Sequence, residues 1–370
     1  MLLEFEKELA GKKIFITGHS GFTGCWTCLW LGLLDADLAG YSLPPETSPS
    51  LFEAAHLADS LQNTFADIGD YETLHKAMRD FQPDLVLHLA AQPLVRRSYR
   101  EPLKTFAVNA LGTAHVLEAA RNVRSVKGIL CVTTDKVYRN NEWEWPYREN
   151  DALGGDDPYS ASKAAAEMII QSYMFRSRHE AGPAIAIARG GNIIGGGDWS
   201  EDRLIPDFVR AVVNSGTLEL RYPEATRPWQ HVLALVQGYL ILLAGLRGDS
   251  PERYTRAWNL GPRETERLSV RDVLECMSRF WKRPALASMA NPLSETRTLA
   301  LDSSSARALL GWAPAWDAKK SIQETAAWYH AYYTEPERAK GMTLDQINAW
   351  RRAIRVDACA ANGPEQTDFI

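Results

Sequence analysis

The first half of the chain alternates between two apolar patterns: short unbroken runs, and longer stretches in which apolar residues recur every three or four positions. Residues 13–17 (KIFIT) predict a buried strand, and a helical pattern runs on from about Phe22. DADLAGYSL at 35–43 predicts a second strand, and FADIGD at 65–70 closes a third before the helix YETLHKAMRDF. PDLVLHLAAQ at 83–92 predicts another buried strand, followed by the long helix FAVNALGTAHVLEAARNV. KGILCVTTDKVY at 127–138 and PAIAIARGGNIIG at 183–195 predict two more strands, with the helix PYSASKAAAEMIIQSYMFRSRH between them. Such alternation is the signature of a parallel, doubly wound sheet whose ligands bind beyond the C-terminal ends of the strands.

From about residue 196 the alternation weakens into a mixed region rich in Trp, Pro and Arg, which suits a smaller lobe that closes over a ligand. VLALVQGYLILLAGL at 232–246 is interrupted by Gln237 and Gly238 and is too short to span a bilayer comfortably, so it predicts a buried core helix. The expected fold class is α/β, a Rossmann-type doubly wound parallel sheet with a smaller C-terminal substrate-binding lobe. The expected division places the dinucleotide-binding domain at 1–190 with a returning segment near 232–262, the substrate lobe mainly at 191–335, and an extension at 336–370. Its last stretch, DACAANGPEQTDFI, predicts a loose tail.

Composition narrows the classes. At 45% hydrophobic and 24% charged over 370 residues, this is an ordinary globular composition with ample material for a core. A net charge of −5 and scattered arginines set up no basic field, which argues against nucleic acid as a partner. Acids among the apolar residues of MLLEFEKELAGKK argue against a signal peptide, and the odd count of five cysteines points to reduced thiols in the cytoplasm. Cys25 and Cys28 form a CxxC, but with no second pair and an apolar helical setting they read as small core residues, and no metal is expected.

Two motifs carry chemistry. Gly18, Gly21 and Gly24 follow the first strand and open the first long helix, the context in which glycines permit a tight turn and close approach of a dinucleotide's pyrophosphate to the helix N-terminus. The contacts expected from this reading run from Thr17 to Gly24 and include His19, Phe22 and Thr23. Asp67 and Ile68 are expected to flank adenine, and Ala90, Ala91 and Gln92, together with Asn109, to border the nicotinamide ribose. The second motif is YSASK, which puts Tyr159 and Lys163 on one helix face. A phenol whose ordinary pKa is about 10 serves as a base at neutral pH only beside positive charge, which Lys163 and an oxidised nicotinamide would both supply.

TGHSGFTG, HLAAQ, NALGT, TTDKVY, YSASK and RGGNIIGGGD resemble, in order and spacing, the extended short-chain dehydrogenase/reductase family. The finer strings GYSLPP, PSLFE, EWEWPYRENDALGGDDPYSASK, GGGDW, DRLIPD and RPWQHV resemble its nucleotide-sugar 4,6-dehydratases, over about residues 11–335. The resemblance implies conversion of CDP-D-glucose to CDP-4-keto-6-deoxy-D-glucose with loss of water, NAD as a recycled cofactor, a homodimer or homotetramer, and a place in deoxysugar biosynthesis for surface polysaccharide such as O-antigen. It implies that Thr134 hydrogen-bonds the C4 oxygen beside Tyr159, that Asp135 is the acid for loss of the C6 hydroxyl, and that Lys136 is the base at C5. A close Asp135–Lys136 ion pair would oppose both of the last roles. By resemblance Asn192, Arg203 and Arg227 would meet the diphosphate and Tyr222 the pyrimidine, while His231 reads at least as well as a packed or capping histidine as it does as a ligand contact. The second strand carries no acidic residue for an adenosine 2′-hydroxyl and no arginine for a 2′-phosphate, so the choice of NAD follows from the resemblance. Subunit pairing would use the helices at about 104–122 and 159–179, with Met168, Ile169 and Met174 available for the face. Other readings stay open: a different nucleotide-sugar dehydratase, a C4 epimerase or simple dehydrogenase using Tyr159 and Lys163 alone, and a non-catalytic NAD-binding regulator.

Overall fold

A computed structural model describes residues 2–220, 222–262, 268–288 and 299–361. Seven strands form the central sheet: β1 (Lys13–Thr17), β2 (Asp37–Ser42), β3 (Gln62–Phe65), β4 (Leu85–His88), β5 (Gly128–Thr134), β6 (Ala184–Gly190) and β7 (Ala257–Leu260). Their order is β7-β6-β5-β4-β1-β2-β3 and every pairing is parallel. The direction of winding reverses between β1 and β4, which opens the ligand crevice there.

The unbroken apolar runs resolve into two faces because side chains alternate along a strand. Ile14, Ile16, Leu85, Leu87, Leu130 and Ala188 enter a core with the helices α1 (Glu4–Leu9) and α2 (Phe22–Gly32) on that side. Phe15, Val86, Ile129, Cys131 and Ile187 enter the opposite core, under α3 (Tyr71–Phe81), α4 (Gly112–Arg121) and α5 (Pro158–Glu180). The apolar run at 232–246 is α6 (Val232–Arg247), buried on nearly all sides in the first core, which is what an all-round apolar helix of this length requires. His231 caps it, its Nδ1 accepting the Leu233 N–H at 3.3 Å, so the packed reading of that histidine holds.

Several boundaries differ from expectation. The third strand ends at Phe65, so FADIGD is the turn after it, with Asp67 accepting the Gly69 N–H at 2.7 Å. The fifth strand stops at Thr134, and residues Asp135–Val137 form one tight 3-10 turn in place of further strand, because the Thr134 hydroxyl accepts the Lys136 N–H at 3.3 Å. The long helix before β5 is Pro102–Phe106, a π-helical turn Ala107–Leu111, and α4 in continuity. Met174 packs into its own subunit's core rather than onto an outer face, whereas Met168 is two-thirds exposed.

At the C-terminal end, Ala318–Thr334 and α7 (Ala339–Ala361) fold back on the first core. The helix continues as far as Ala361 into the stretch expected to be loose; residues 362–370 lie outside the described residues. Arg351 of α7 donates to both carboxylate oxygens of the fully buried Glu6 at 2.6 and 3.0 Å, and Trp30 donates to the same group at 2.9 Å. Burial alone would raise the Glu6 carboxyl, yet these donors and the Leu3 N–H hold it below its ordinary value. Among the described residues, no helix is long and apolar enough to cross a membrane.

Candidate active site

The glycine loop after β1 forms a cradle. Gly18 has a φ of +76°, and a Cβ on it would lie 2.7 Å from the Ala90 nitrogen, so the 89–91 loop presses directly on it. A Cβ on Gly24 would strike the Gly18 carbonyl and the His19 backbone, so α2 closes tightly under the loop. Gly21 is different: it is exposed and N-caps α2, and no side chain caps the helix. The N–H groups of the first turn, at Phe22, Thr23 and Gly24, are therefore presented to an incoming anion, and the residues fit a dinucleotide's pyrophosphate. Cys25 steadies the loop, its thiol lying 3.5 Å from the His19 carbonyl and 3.6 Å from that of Ser20. Both cysteines of the CxxC are buried and free, and burial pushes the Cys28 thiol up to about 12, as core residues should behave.

The other expected cofactor residues surround this cradle with distinct duties. His19 turns its ring away, its Nε2 lying 2.6 Å from Asn63 Oδ1 and the ring covering Gly40, so it offers a ligand its backbone. Asp67 is exposed while Ile68 is buried beneath Gly112. Ala90 and Ala91 are half-buried at the end of β4. Gln92 spends its side chain on Thr105 at 2.9 Å and on the Leu94 N–H at 2.6 Å. Asn109, turned inward by the π-helical turn, accepts the Gln92 N–H at 2.8 Å and donates to Ser162 at 2.9 Å, tying the β4 loop to α5.

Beyond the ends of β5 and β6 lies a cavity of about 430 Å³ lined by Thr134, Asp135, Lys136 and Tyr159, and farther along by Asn192, Arg203, Tyr222 and Arg227. Chain segments far apart in sequence thus bring the expected catalytic and substrate residues to one space. Asp157 caps α5 by accepting the Ser160 N–H at 3.0 Å, which fixes Tyr159 in the first turn. Burial pushes the Tyr159 hydroxyl up to about 12, a rise that hydrogen bonding with Thr134 only partly offsets. Lys163 sits below the cavity, donates to the Val132 carbonyl at 3.1 Å, and is pushed down to about 8 by burial against the opposing charge of Glu167. Lys163 alone therefore does not lower Tyr159, and the phenol needs a second positive charge to act as a base.

Asp135 is buried at the top of the 3-10 turn and accepts a hydrogen bond from Thr134 at 2.9 Å. Burial raises its carboxyl above the ordinary value and outweighs the nearby positive charges of Lys136 and Arg227. The opposition expected from an Asp135–Lys136 pair is thus present but is not the dominant influence. Toward the nucleotide end, Arg203 is held by Asp198 at 2.9 Å, Asn192 lies in the loop after β6, and Tyr222 and Arg227 come from the irregular region beyond. Trp143 is partly exposed and stacks on Tyr147, whereas Trp145 is largely exposed.

The sequence reading missed the segment 93–99. Ser98 accepts the Tyr159 N–H at 3.1 Å, and Arg96 lines the cavity while paired to Asp202 at 2.9 Å. It also missed the buried carboxylate of Glu167, one turn beyond Lys163. The spacing Tyr159, Lys163, Glu167 was the available signal, since all three recur at helical i, i+4 intervals.

A parallel Rossmann sheet with a glycine cradle and a Tyr–Lys pair beside a cavity defines a dinucleotide-binding fold of the short-chain dehydrogenase/reductase type. The chain belongs to the GDP-mannose 4,6 dehydratase family, whose profile matches residues 15–325. It is 40% identical over 329 residues to the CDP-glucose 4,6-dehydratase of Salmonella typhimurium strain LT2, covering 87% of this chain and 91% of that one. It is 30% identical over 255 residues to the dTDP-glucose 4,6-dehydratase of Streptomyces griseus, covering 67% and 72%. The dTDP-glucose 4,6-dehydratase of Streptomyces venezuelae, solved with NAD bound, has the same fold, with a TM-score of 0.74 at 22% identity over 88% of this chain and 99% of that one.

Proposed function

We propose that this chain is a CDP-glucose 4,6-dehydratase that uses NAD and forms CDP-4-keto-6-deoxy-D-glucose. The observation that carries the reading is the buried Asp135, its carboxyl raised toward the protonated form, in the same cavity as Tyr159 and Lys136. An epimerase or simple dehydrogenase has no use for a buried acid there; a dehydratase does. The CDP-sugar as substrate is supported by the relationship at 40% identity.

Gly18, Gly21, Gly24 and the first turn of α2 would hold the NAD pyrophosphate, with the 67–68 and 90–92 loops at its two ends. Bound there, NAD would supply the hydride acceptor for C4 and the hydride donor for C6, which would leave the reaction redox-neutral overall. Tyr159, hydrogen-bonded with Thr134, accepts the proton of the C4 hydroxyl. The C4 ketone acidifies C5, and Lys136 removes that proton. Asp135 protonates the C6 hydroxyl, which leaves as water, and Lys136 returns a proton to C5 when C6 is reduced. The proton held by Tyr159 restores the one that Asp135 gave up, through solvent, so one water is lost and the protein is unchanged. Asn192, Arg203 and Arg227 take the diphosphate, and Tyr222 the base.

The NAD-binding unit comprises residues 1–190 with the returning 232–262, the substrate lobe is mainly 191–335, and 336–370 is an extension. The protein works in the cytoplasm, in deoxysugar biosynthesis for surface polysaccharide. Leu103, Phe106 and Leu111 are exposed along the first of the two pairing helices, and Met168 and Phe175 along the second, an apolar set that supports a homodimer or homotetramer. Incubation with NAD and CDP-, UDP-, dTDP- or GDP-activated hexoses, read by mass, tests the function. Loss of one water from CDP-glucose is expected; an isomer of unchanged mass, or reduced cofactor released in step with turnover, overturns it.

A further inference from the structure

Behind the catalytic residues lies a buried charge pair that none of the steps above uses. Glu167 and Arg189 are both essentially inaccessible to solvent, and Arg189 contacts both carboxylate oxygens, with Nε at 2.8 and 3.1 Å and Nη2 at 2.5 Å. The Thr133 hydroxyl donates to the same carboxylate at 2.6 Å. Consecutive residues of β5 are therefore stitched to consecutive turns of α5, the Val132 carbonyl to Lys163 and the Thr133 side chain to Glu167. Arg189 reaches onward, donating to the Tyr138 hydroxyl at 2.6 Å and to the Glu149 carbonyl at 2.9 Å, and Tyr138 donates to Asn259 of β7 at 2.7 Å. The pair thus grips both flanks of the stretch that carries Thr134, Asp135 and Lys136.

We propose that Glu167, clamped by Arg189, is a positioning residue for the dehydration: it sets the Thr134–Lys136 turn in register with Tyr159 and supplies the negative charge that keeps the Lys163 ammonium in place. A buried ion pair is weak evidence for stability, since its desolvation cost offsets much of its attraction. A pair placed against the one buried lysine of the site has a different use. The groups facing Lys163 are Glu167 on α5, Cys131 on β5, His88 on β4 and, across Glu167, Arg189 on β6. Burial pushes the Cys131 thiol up to about 12 and the His88 imidazole down to about 3, so both are neutral at pH 7 and Glu167 is the anion among them. It opposes the burial that pushes Lys163 down to about 8. Without it the lysine would lose its proton at lower pH.

The inference rests on the proposed dehydratase reading, and two readouts separate their failures. Wild-type and Glu167→Gln proteins labelled with ¹³Cε-lysine are titrated by NMR, the Lys163 signal being assigned by its loss in Lys163→Arg. The Lys163 midpoint is expected to fall by about one pH unit or more in Glu167→Gln; an unmoved midpoint overturns the proposal whatever the substrate is. In the dehydratase assay, the alkaline limb of kcat/KM should move to lower pH by the same interval in Glu167→Gln and stay in place in Glu167→Asp. A uniform loss at every pH would mean a merely structural role. Thr133→Val covers the case in which Glu167→Gln does not fold. It keeps every charge, so the limb should not move, while kcat drops about tenfold with KM unchanged because the turn shifts; wild-type kcat in Thr133→Val overturns the positioning role. A wild-type protein that removes no water from CDP-glucose would refute the functional reading and leave the NMR titration as the judge of the charge role.

Discussion

The two ends of the cavity are built on different principles. At the sugar end, Thr134, Asp135, Tyr159 and Lys163 are buried and hydrogen-bonded on a seven-residue central strand, the turn that follows it and a long helix of the Rossmann core. At the nucleotide end, Tyr222 is exposed, Arg203 and Arg227 are half-buried, and the local framework is one helix, Leu204–Val213, with short strands and turns. Burial shifts acid–base groups and fixes the reacting geometry, which proton transfers require. Half-exposed arginines, Arg203 already paired with Asp198, instead leave donors at the cavity wall for a diphosphate, which suits binding and release. The sugar end should therefore govern kcat and the nucleotide end KM.

The largest expected effect is at Tyr159. Tyr159→Phe should lower kcat about 10²- to 10⁴-fold with the fold and KM preserved, measured by steady-state kinetics beside circular dichroism. Asp135→Asn should come next, with a loss of about 10²-fold or more in water elimination. It also carries a stability signature. The raised carboxyl of Asp135 contributes stability that is full below its unfolded pKa and is lost as pH rises through its folded pKa. Asp135→Asn should accordingly melt higher than wild type at pH 7, with the gain vanishing as pH falls below the ordinary carboxylate range. Loss of activity together with gain of stability would separate a catalytic acid from a structural carboxylate.

At the other end, Arg227→Met should raise KM for the nucleotide sugar about tenfold or more while kcat changes little, as loss of one charge-assisted contact implies. Raising ionic strength should act in the same direction on KM and spare kcat. An equal fall in kcat would erase the division between the two ends. The smallest effect is expected from Cys25→Ser, which leaves a donor facing the His19 and Ser20 carbonyls: the NAD dissociation constant should change by less than about threefold.

The same contrast explains what could be read from sequence. Gly18, Gly21, Gly24, Tyr159 and Lys163 belong to local motifs whose spacing and flanking apolar runs mark the element each sits on, so those elements were legible. The end of β5 was less so, because the bend at Thr134 depends on a side chain folding back onto the backbone two residues on. Ser98, Arg96 and Glu167 escaped notice because their importance lies in partners at other strands and loops: Tyr159, Asp202 and Arg189. Met174, available for a pairing face on sequence, lies in the core, because a period of 3.6 marks an apolar stripe without saying whether the stripe meets the molecule's own core or another copy. The substrate end offered little more than arginine and tyrosine in an irregular setting, where no period constrains the arrangement.

On the proposed reading, one cavity oxidises C4, eliminates water across C5 and C6, and delivers the C4 hydrogen to C6. CDP-glucose carrying deuterium at C4 tests it most directly, with the product examined by NMR. The expected product is a 4-keto-6-deoxy sugar whose deuterium resides in the C6 methyl group. Deuterium retained at C4 of an epimerised sugar, or lost from the sugar with no deoxygenation, would contradict it.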